Sequence, residues 1–549
     1  MRRAAAALAF GLAAAAPLRA QAAGPAPERA APPRLTVGIL GYRFSVTLPD
    51  SGDTIAGRAQ VRLRRPRAGV PDTVPLDLVG MAVHEVLGDA GRPLAAAYDG
   101  RVLRVVLPVV PRPDTETITV AYAGRPADGL ISATDARGRR IVFADDWPDR
   151  ARGFIPCVDH PAYKAPVTWE IDAPAAMRVV ANGAFVAVRD APGGRRRWTY
   201  VEARPIPTYT MVFGAALFAV SRHAPAVTGR DTSAMEVWTY PEDSAFADSV
   251  PFRRATAIVE AGSRLIGPFP WRKLAHVESS TRFGGMENAA AIFYADGMYV
   301  GRHMREGVVR HETAHQWFGD AVTERDWRHL WLSEGFATYF DLVFAAALGD
   351  DSALAQGMRG EARGYFASDV VARPVVDAAA EDLMGLLNAN SYNKGAWVLH
   401  MLRGEVGDSA FFRAVRRYYA AYRDSSVLSE DFERVVERAA GKDLRWFFRQ
   451  WLYQPGYPRL DVTWRAPGAG RRVVLRVAQA QPAAWGRFRL PRVAVRFAVA
   501  DGPAMDRVLA LDPRRAEQTF TFTLPRAPTG LAVDPHGVLL LSANVRQAP

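Results

Sequence analysis

Residues 311–315 read His311-Glu312-Thr313-Ala314-His315, and residues 331–337 read Trp331-Leu332-Ser333-Glu334-Gly335-Phe336-Ala337. The first stretch lies inside a helical pattern. At 3.6 residues per turn, positions i and i+4 sit one above the other on a single face, so both imidazoles can reach one ion. Glu312 falls on the adjoining part of that helix, near a metal without having to bind it. Two nitrogens leave a zinc ion under-ligated, because catalytic zinc takes three protein ligands and keeps an open position for water. Glu334 is the candidate third ligand, eighteen intervening residues beyond His315. That spacing permits a turn and an antiparallel second helix. The competing reading, a chance match on a surface helix, does not account for the correctly spaced Glu-Gly-Phe-Ala context.

The chemistry expected of such a set follows from its charges. A zinc ion with two neutral imidazoles and one carboxylate stays positive, which lowers the pKa of bound water toward neutrality and polarises a substrate carbonyl. Glu312 is then the candidate base that takes the proton from that water and delivers it to the leaving amine.

Working outward, helical patterns surround the motif at 252–266, 307–318, 332–347, 352–366, 396–403 and 409–422, which predicts a mostly helical domain. A Pro-Gly-Tyr-Pro break at 455–458 closes it. Upstream, short alternating segments at 35–37, 43–48, 59–63, 102–106, 117–122, 167–171, 197–200 and 209–213 predict an all-β domain. Strand-like runs return at 460–464, 472–477, 493–499 and 518–524, the pattern of a small β-sandwich. The division expected is a signal peptide at 1–22, a Pro/Ala linker at 23–33, an N-terminal all-β domain at 34–220, a catalytic domain at 221–455 and the β-sandwich at 456–549. No internal repeat is evident.

Composition limits the alternatives. With 549 residues, 49% of them hydrophobic, the chain can bury more than one core. Its net charge of +12 comes almost wholly from arginine, with only four lysines, spread among acids without a basic block, which argues against nucleic-acid binding. Met1-Arg2-Arg3, the apolar run 4–18 and Ala20-Gln21-Ala22 resemble a cleavable secretory signal, too short for a comfortable membrane span. The expectation is an exported protein, periplasmic or secreted, that stays membrane-anchored only if the signal is retained. Cys157 is the only cysteine, so no intramolecular disulfide can form despite export. Nothing in the sequence fixes an oligomeric state.

These residues resemble the aminopeptidase N family of zinc metallopeptidases, the gluzincins to which leukotriene A4 hydrolase also belongs. The family pattern is His-Glu-x-x-His, eighteen residues, then Glu. Gly284-Gly285-Met286-Glu287-Asn288 matches the family's Gly-x-Met-Glu-Asn element, which implies an edge strand along which the peptide lies, with Glu287 holding its free α-amine. Paired glycines would let a ligand backbone approach, and a carboxylate at the groove's end would neutralise an ammonium. Taken alone, the same residues could be an ordinary tight turn with an exposed glutamate. Ser391-Tyr392-Asn393-Lys394-Gly395-Ala396 resembles the family's Tyr-x-Lys-Gly element and makes Tyr392 the candidate hydrogen-bond donor to the tetrahedral oxyanion; the bland reading is a core tyrosine at a helix start.

The resemblance extends to Phe154–Pro161, like the family's Pro-Cys-x-Asp-x-Pro segment, and to 447–456, like the end of its catalytic domain. It implies a multidomain α+β fold: a saddle-like N-terminal β-sheet domain, a thermolysin-like, mostly helical catalytic domain and a C-terminal β-sandwich. Cys157 is then a buried scaffold thiol and His160 structural. Phe283 borders the first side-chain pocket. Asp145 stands where many relatives place a longer Gln or Glu that assists amine binding. The family's large C-terminal helical domain is not expected within these residues, which would leave the groove more open. The function implied is a zinc aminopeptidase with one Zn2+ per chain, acting on peptides with a free N-terminus. An endopeptidase or other zinc hydrolase, and an inactive binding module on the same fold, are the alternatives.

Overall fold

The computed structural model describes residues 31–33, 35–65, 73–108, 113–467 and 470–548. The expected signal peptide and most of the 23–33 linker lie outside the described residues.

The N-terminal half is built from strands whose residues alternate between core and solvent. Gly38–Thr47, for example, buries Tyr42, Phe44 and Val46 and turns Arg43 outward. Its seven-stranded sheet runs in the order Ala184–Ala191, Arg195–Ile206, Ala165–Pro174, Gly38–Thr47, Ile55–Arg64, Thr115–Gly124, Ala82–Leu87. A three-stranded sheet (Thr73–Asp77, Val102–Val106, Ala95–Tyr98) and a four-stranded one (Arg178–Ala181, Phe213–Ala216, Arg140–Ala144, Leu130–Thr134) complete this part. Cys157 is buried with a free thiol. Two expected strands differ: residues 35–37 precede the first strand, and Thr208–Thr210 forms a tight 3-10 turn before Phe213–Ala216.

The central part holds a five-stranded sheet as well as the expected helices. Its order is Ala219–Thr228, Asp231–Thr239, Lys273–Ser279, Ala291–Ala295, Gly285–Met286, with the middle three parallel and the last an antiparallel edge. Lys273–Ser279 is buried at every residue, as parallel strands covered on both faces are. Ala255–Leu265 packs on the sheet's Ala219–Thr228 strand and Glu306–His315 meets its Gly285–Met286 edge, while Trp331–Ala347 packs on Glu306–His315 and carries Ala353–Ala367 and Gly395–Val406 in turn; Asp408–Tyr422, Ser429–Ala440 and Arg445–Tyr453 follow. Trp331–Ala347 buries residues around nearly its whole circumference, so it is the central helix. The C-terminal region is β-rich. A four-stranded sheet (Glu517–Thr523, Arg472–Gln479, Arg459–Arg465, Ser542–Gln547) accompanies a three-stranded one (Met505–Leu511, Leu490–Val499, Pro528–Val533).

The central helix touches Gly395–Val406 at a pair of glycines. A β-carbon on Gly335 would lie 2.8 Å from the Gly395 backbone, and one on Gly395 would lie 2.9 Å from the Gly335 Cα. Helices pack with backbones this close only where side chains are missing, and here the contact sets Glu334 beside Tyr392. Gly335→Ala and Gly395→Ala should each destabilise the protein by about 1–3 kcal/mol through forced separation of the helices. Urea unfolding checks this; wild-type stability in both variants would contradict the contact.

Candidate metal centre

Glu306–His315 and the first turn of Trp331–Ala347 bring three donors together. His311 Nε2 and His315 Nε2 are 3.1 Å apart, and they lie 3.4 and 3.3 Å from Glu334 Oε2. A tetrahedron with metal bonds of about 2.0–2.1 Å has edges of about 3.3–3.4 Å, close to this triangle. Glu334 Oε2 is buried and has no hydrogen-bond partner among the described residues. An orphaned carboxylate oxygen facing two imidazole nitrogens is the donor set zinc takes, so these residues fit the metal.

Electrostatics reinforces the grouping. Burial opposes charge on His311, but Glu334 raises its pKa; burial opposes it on His315 too, where Glu287 and Glu334 prevail. Burial would push the Glu334 carboxyl up, yet the two imidazoles hold it well below the usual carboxylate range. Glu312 stays outside the triangle. Burial pushes its carboxyl up to about 7, against the pull of His311 and His315. A base is most effective when its pKa lies near the working pH.

The remaining expected residues fall in distinct places. Glu287 is 6% exposed, and its carboxylate lies with Glu312 and His315 in a second group whose ligand atoms are all within 4.8 Å of one another. Gly284 is open on its side-chain face, with only the Met298 sulfur 3.9 Å from where a β-carbon would be. Gly285 is not open. Its β-carbon would fall 2.2 Å from Glu312 Oε1, so this glycine makes room for the carboxylate of Glu312. Met286, in the edge strand, and Asn288, just beyond its end, are buried, at 3% and 0% exposure. Phe283 is half-buried and meets Trp147 edge to face, ring centroids 5.8 Å apart.

Two residues have partners that the sequence did not announce. Tyr392 stacks on His311, and its hydroxyl donates to Glu334 Oε1 at 2.7 Å. Burial and then Glu334 raise its pKa, so it remains a donor. It sits in a π-helical turn, Asn390–Lys394, a widening of the helix that often marks functional sites. Asp145 is 1% exposed. It accepts a hydrogen bond from the Thr281 hydroxyl at 2.7 Å, with Arg282 and Arg150 at 3.6 and 3.7 Å. Its carboxylate is therefore flanked by guanidinium groups, which compete with an incoming ammonium.

Sequence reasoning missed the residues that orient the donors. Ser333 Oγ and the Phe318 carbonyl lie 2.9 and 3.1 Å from His315 Nδ1. The carbonyl requires a proton on Nδ1, which leaves Nε2 with its lone pair toward the triangle. Gln316 donates to the Glu287 carbonyl at 2.7 Å and accepts from the Ala290 N–H at 3.0 Å, tying the motif helix to the edge strand. Adjacency to His315 and Glu334 was the only available signal for either residue.

The comparisons agree with this geometry. The Peptidase family M1 domain matches residues 254–451 and the Peptidase M1 N-terminal domain matches residues 90–210, together more than half of the chain. The chain is 29% identical over 342 residues to probable aminopeptidase 2 of Sulfurisphaera tokodaii, covering 57% of this chain and 41% of that protein. It is 28% identical over 377 residues to aminopeptidase N of Lactococcus lactis, covering 64% of this chain and 44% of that protein. The chain spans about half the length, or less, of the curated relatives it matches. An M1 zinc metallopeptidase structure from Deinococcus radiodurans superposes with a TM-score of 0.68 at 26% identity, covering 78% of this chain and 97% of that one. Legionella pneumophila aminopeptidase A shares the fold, with a TM-score of 0.79 at 18% identity over 94% of this chain and 60% of that one. With both M1 domains matched and the donor triangle in place, the chain belongs to peptidase family M1, the aminopeptidase N family of zinc metallopeptidases.

Proposed function

We propose that this protein is a zinc aminopeptidase that removes N-terminal residues from peptides, with one Zn2+ per chain held by His311, His315 and Glu334. The observation that carries this reading is the position of Glu287, whose carboxylate shares a 4.8 Å neighbourhood with Glu312 and His315. An α-ammonium anchored there places only the first carbonyl near the triangle, because each further residue moves the next carbonyl about 3.8 Å along the chain. When bound, zinc supplies Lewis acidity and lowers the pKa of its water toward neutrality.

The protein's own groups then act in turn. Glu287 neutralises the ammonium and Gly284 admits the substrate backbone. Glu312, seated against Gly285, accepts the proton of the attacking water and returns it to the leaving amine. Tyr392 exchanges its bond to Glu334 for one to the developing oxyanion. Asp145, already engaged, contributes to the shape of the first-residue pocket beside Phe283 more than to amine binding. Short peptides are the substrate class: a Deinococcus M1 structure holds Tyr-Ser-Ala as its substrate. The charged N-terminal segment and its apolar run support export, and no helix among the described residues is long and apolar enough to cross a membrane.

A panel of fluorogenic amino-acid amides, with free and acetylated amines, tests the reading. Free-amine substrates should be cleaved, a chelator should abolish the activity and added zinc should restore it. Cleavage of the acetylated series alone would overturn the aminopeptidase assignment. Glu312→Gln should retain zinc while kcat falls by about 10²–10⁴-fold. Gly285→Ala, which crowds the same carboxylate, should also lower kcat with zinc content unchanged; full activity would remove Glu312 from its seat against the strand. Ser333→Ala should weaken zinc binding by about tenfold, the lower end for an outer-shell partner because the Phe318 carbonyl remains, measured by dialysis against a zinc buffer.

A further inference from the structure

A second concave site lies at the carboxyl ends of the parallel strands Asp231–Thr239, Lys273–Ser279 and Ala291–Ala295, where ligands of open α/β sheets commonly bind. Its volume is about 470 Å³. Tyr240 and Asp243 follow the first strand, Glu278 is the penultimate residue of the second and Asp296 follows the third. The Asp135–Arg139 turn closes the opposite side.

The charges in this cavity are unequally matched. Glu242 is paired with Arg139 at 2.9 Å and with Arg137 at 3.3 Å, and Asp135 with Arg139 at 2.6 Å. Arg302 lies over the Phe246 ring, 4.8 Å from its centroid. Asp243, Glu278 and Asp296 have no ion pair among the described residues. Glu278 is fully buried at 0% exposure. Its Oε2 accepts from the Tyr240 N–H at 2.8 Å, but its Oε1 accepts from no donor among the described residues. Asp243 is near enough to share a hydrogen bond with it only if one of the two acids carries a proton. Tyr240 also lines the cavity, and its buried hydroxyl is likewise unpartnered among the described residues. Orphaned buried oxygens cost free energy unless something fills them.

We propose that this cavity binds a small organic cation, an ammonium or guanidinium compound, on Glu278, Asp243 and Asp296, with the Tyr240 hydroxyl as a further acceptor. Two features favour an organic cation over a bare metal ion. The volume falls within the range of about 300–1,000 Å³ typical of small-molecule sites. The acids here, unlike those of the metal centre, do not form a set of three with ligand atoms within 4.8 Å of one another. A ligand with several N–H donors spans such separated acceptors, whereas one ion does not. Burial, with Asp243 alongside, pushes the Glu278 carboxyl up to about 9, and an entering cation would favour its ionised form.

The site adjoins the substrate strand through the backbone. The Asp296 N–H donates to the Ser279 carbonyl at 2.8 Å, and the Ala295 N–H to the Gly284 carbonyl at 3.2 Å. An occupant would therefore brace the segment that presents Gly284 and Glu287. The site is independent of the aminopeptidase reading, and its test is a binding measurement.

Agmatine, which carries both an ammonium and a guanidinium, is the probe, titrated calorimetrically into the zinc-loaded full-length protein. The expected result is one saturable site whose Kd rises by about tenfold or more in Glu278→Gln and in Asp296→Asn, the loss of one hydrogen bond to a charged group. Binding should be unchanged in Glu287→Gln, which separates this cavity from the substrate groove. Asp296 is only partly buried, so Asp296→Asn decides the matter if Glu278→Gln fails to fold by its melting curve. Absence of saturable binding at millimolar agmatine would overturn the proposal. Binding lost in Glu287→Gln but retained in Glu278→Gln and Asp296→Asn would overturn it, as would calcium, and not agmatine, occupying the Glu278-dependent site.

Discussion

Two imidazole nitrogens and a carboxylate oxygen meet within 3.1–3.4 Å of one another, and Glu334 Oε2 has no hydrogen-bond partner among the described residues. Left to itself that arrangement crowds polar groups away from water, and the carboxylates offset this only by drawing protons onto the imidazoles. A divalent cation makes it favourable, and much of the central region can be understood as enforcing it. The motif helix stacks two histidines on one face. The glycine contact between Trp331–Ala347 and Gly395–Val406 sets the depth of Glu334 and brings the Tyr392 hydroxyl onto its second oxygen. Ser333 and the Phe318 carbonyl fix the His315 ring. The metal would thus contribute to folding as well as to chemistry, which matters in a chain whose single cysteine forms no bridge.

The same packing explains why the edge strand and the motif helix form one unit. Gln316 ties the helix to the backbone of Glu287 and Ala290, while Gly285 leaves space for the Glu312 carboxylate. The substrate-amine anchor and the base are therefore held relative to each other by backbone contacts. A glycine first read as clearance for a ligand serves, at position 285, as clearance for a side chain of the protein itself.

Local periodicity made part of this visible in the sequence. The i, i+4 histidines and the helices near them were legible because an amphipathic pattern survives in one dimension. The alternating strands of the N-terminal sheet were legible for the same reason. The five-stranded sheet was not: Lys273–Ser279 is buried on both faces and carries Lys, His, Glu and Ser, so neither alternation nor an apolar run betrays it. Its Glu278 was invisible for that reason. The π-helical turn at Tyr392, the engagement of Asp145 with Thr281 and the orienting bonds of Ser333 and Gln316 depend on residues distant in sequence, which no local pattern encodes.

Anomalous diffraction at the zinc absorption edge, on crystals of the zinc-loaded protein, tests the central claim most directly. The account requires one strong peak per chain, at about 2.0–2.2 Å from His311 Nε2, His315 Nε2 and a Glu334 carboxylate oxygen. A peak held without Glu334, or an ion seated elsewhere in the chain, would contradict it.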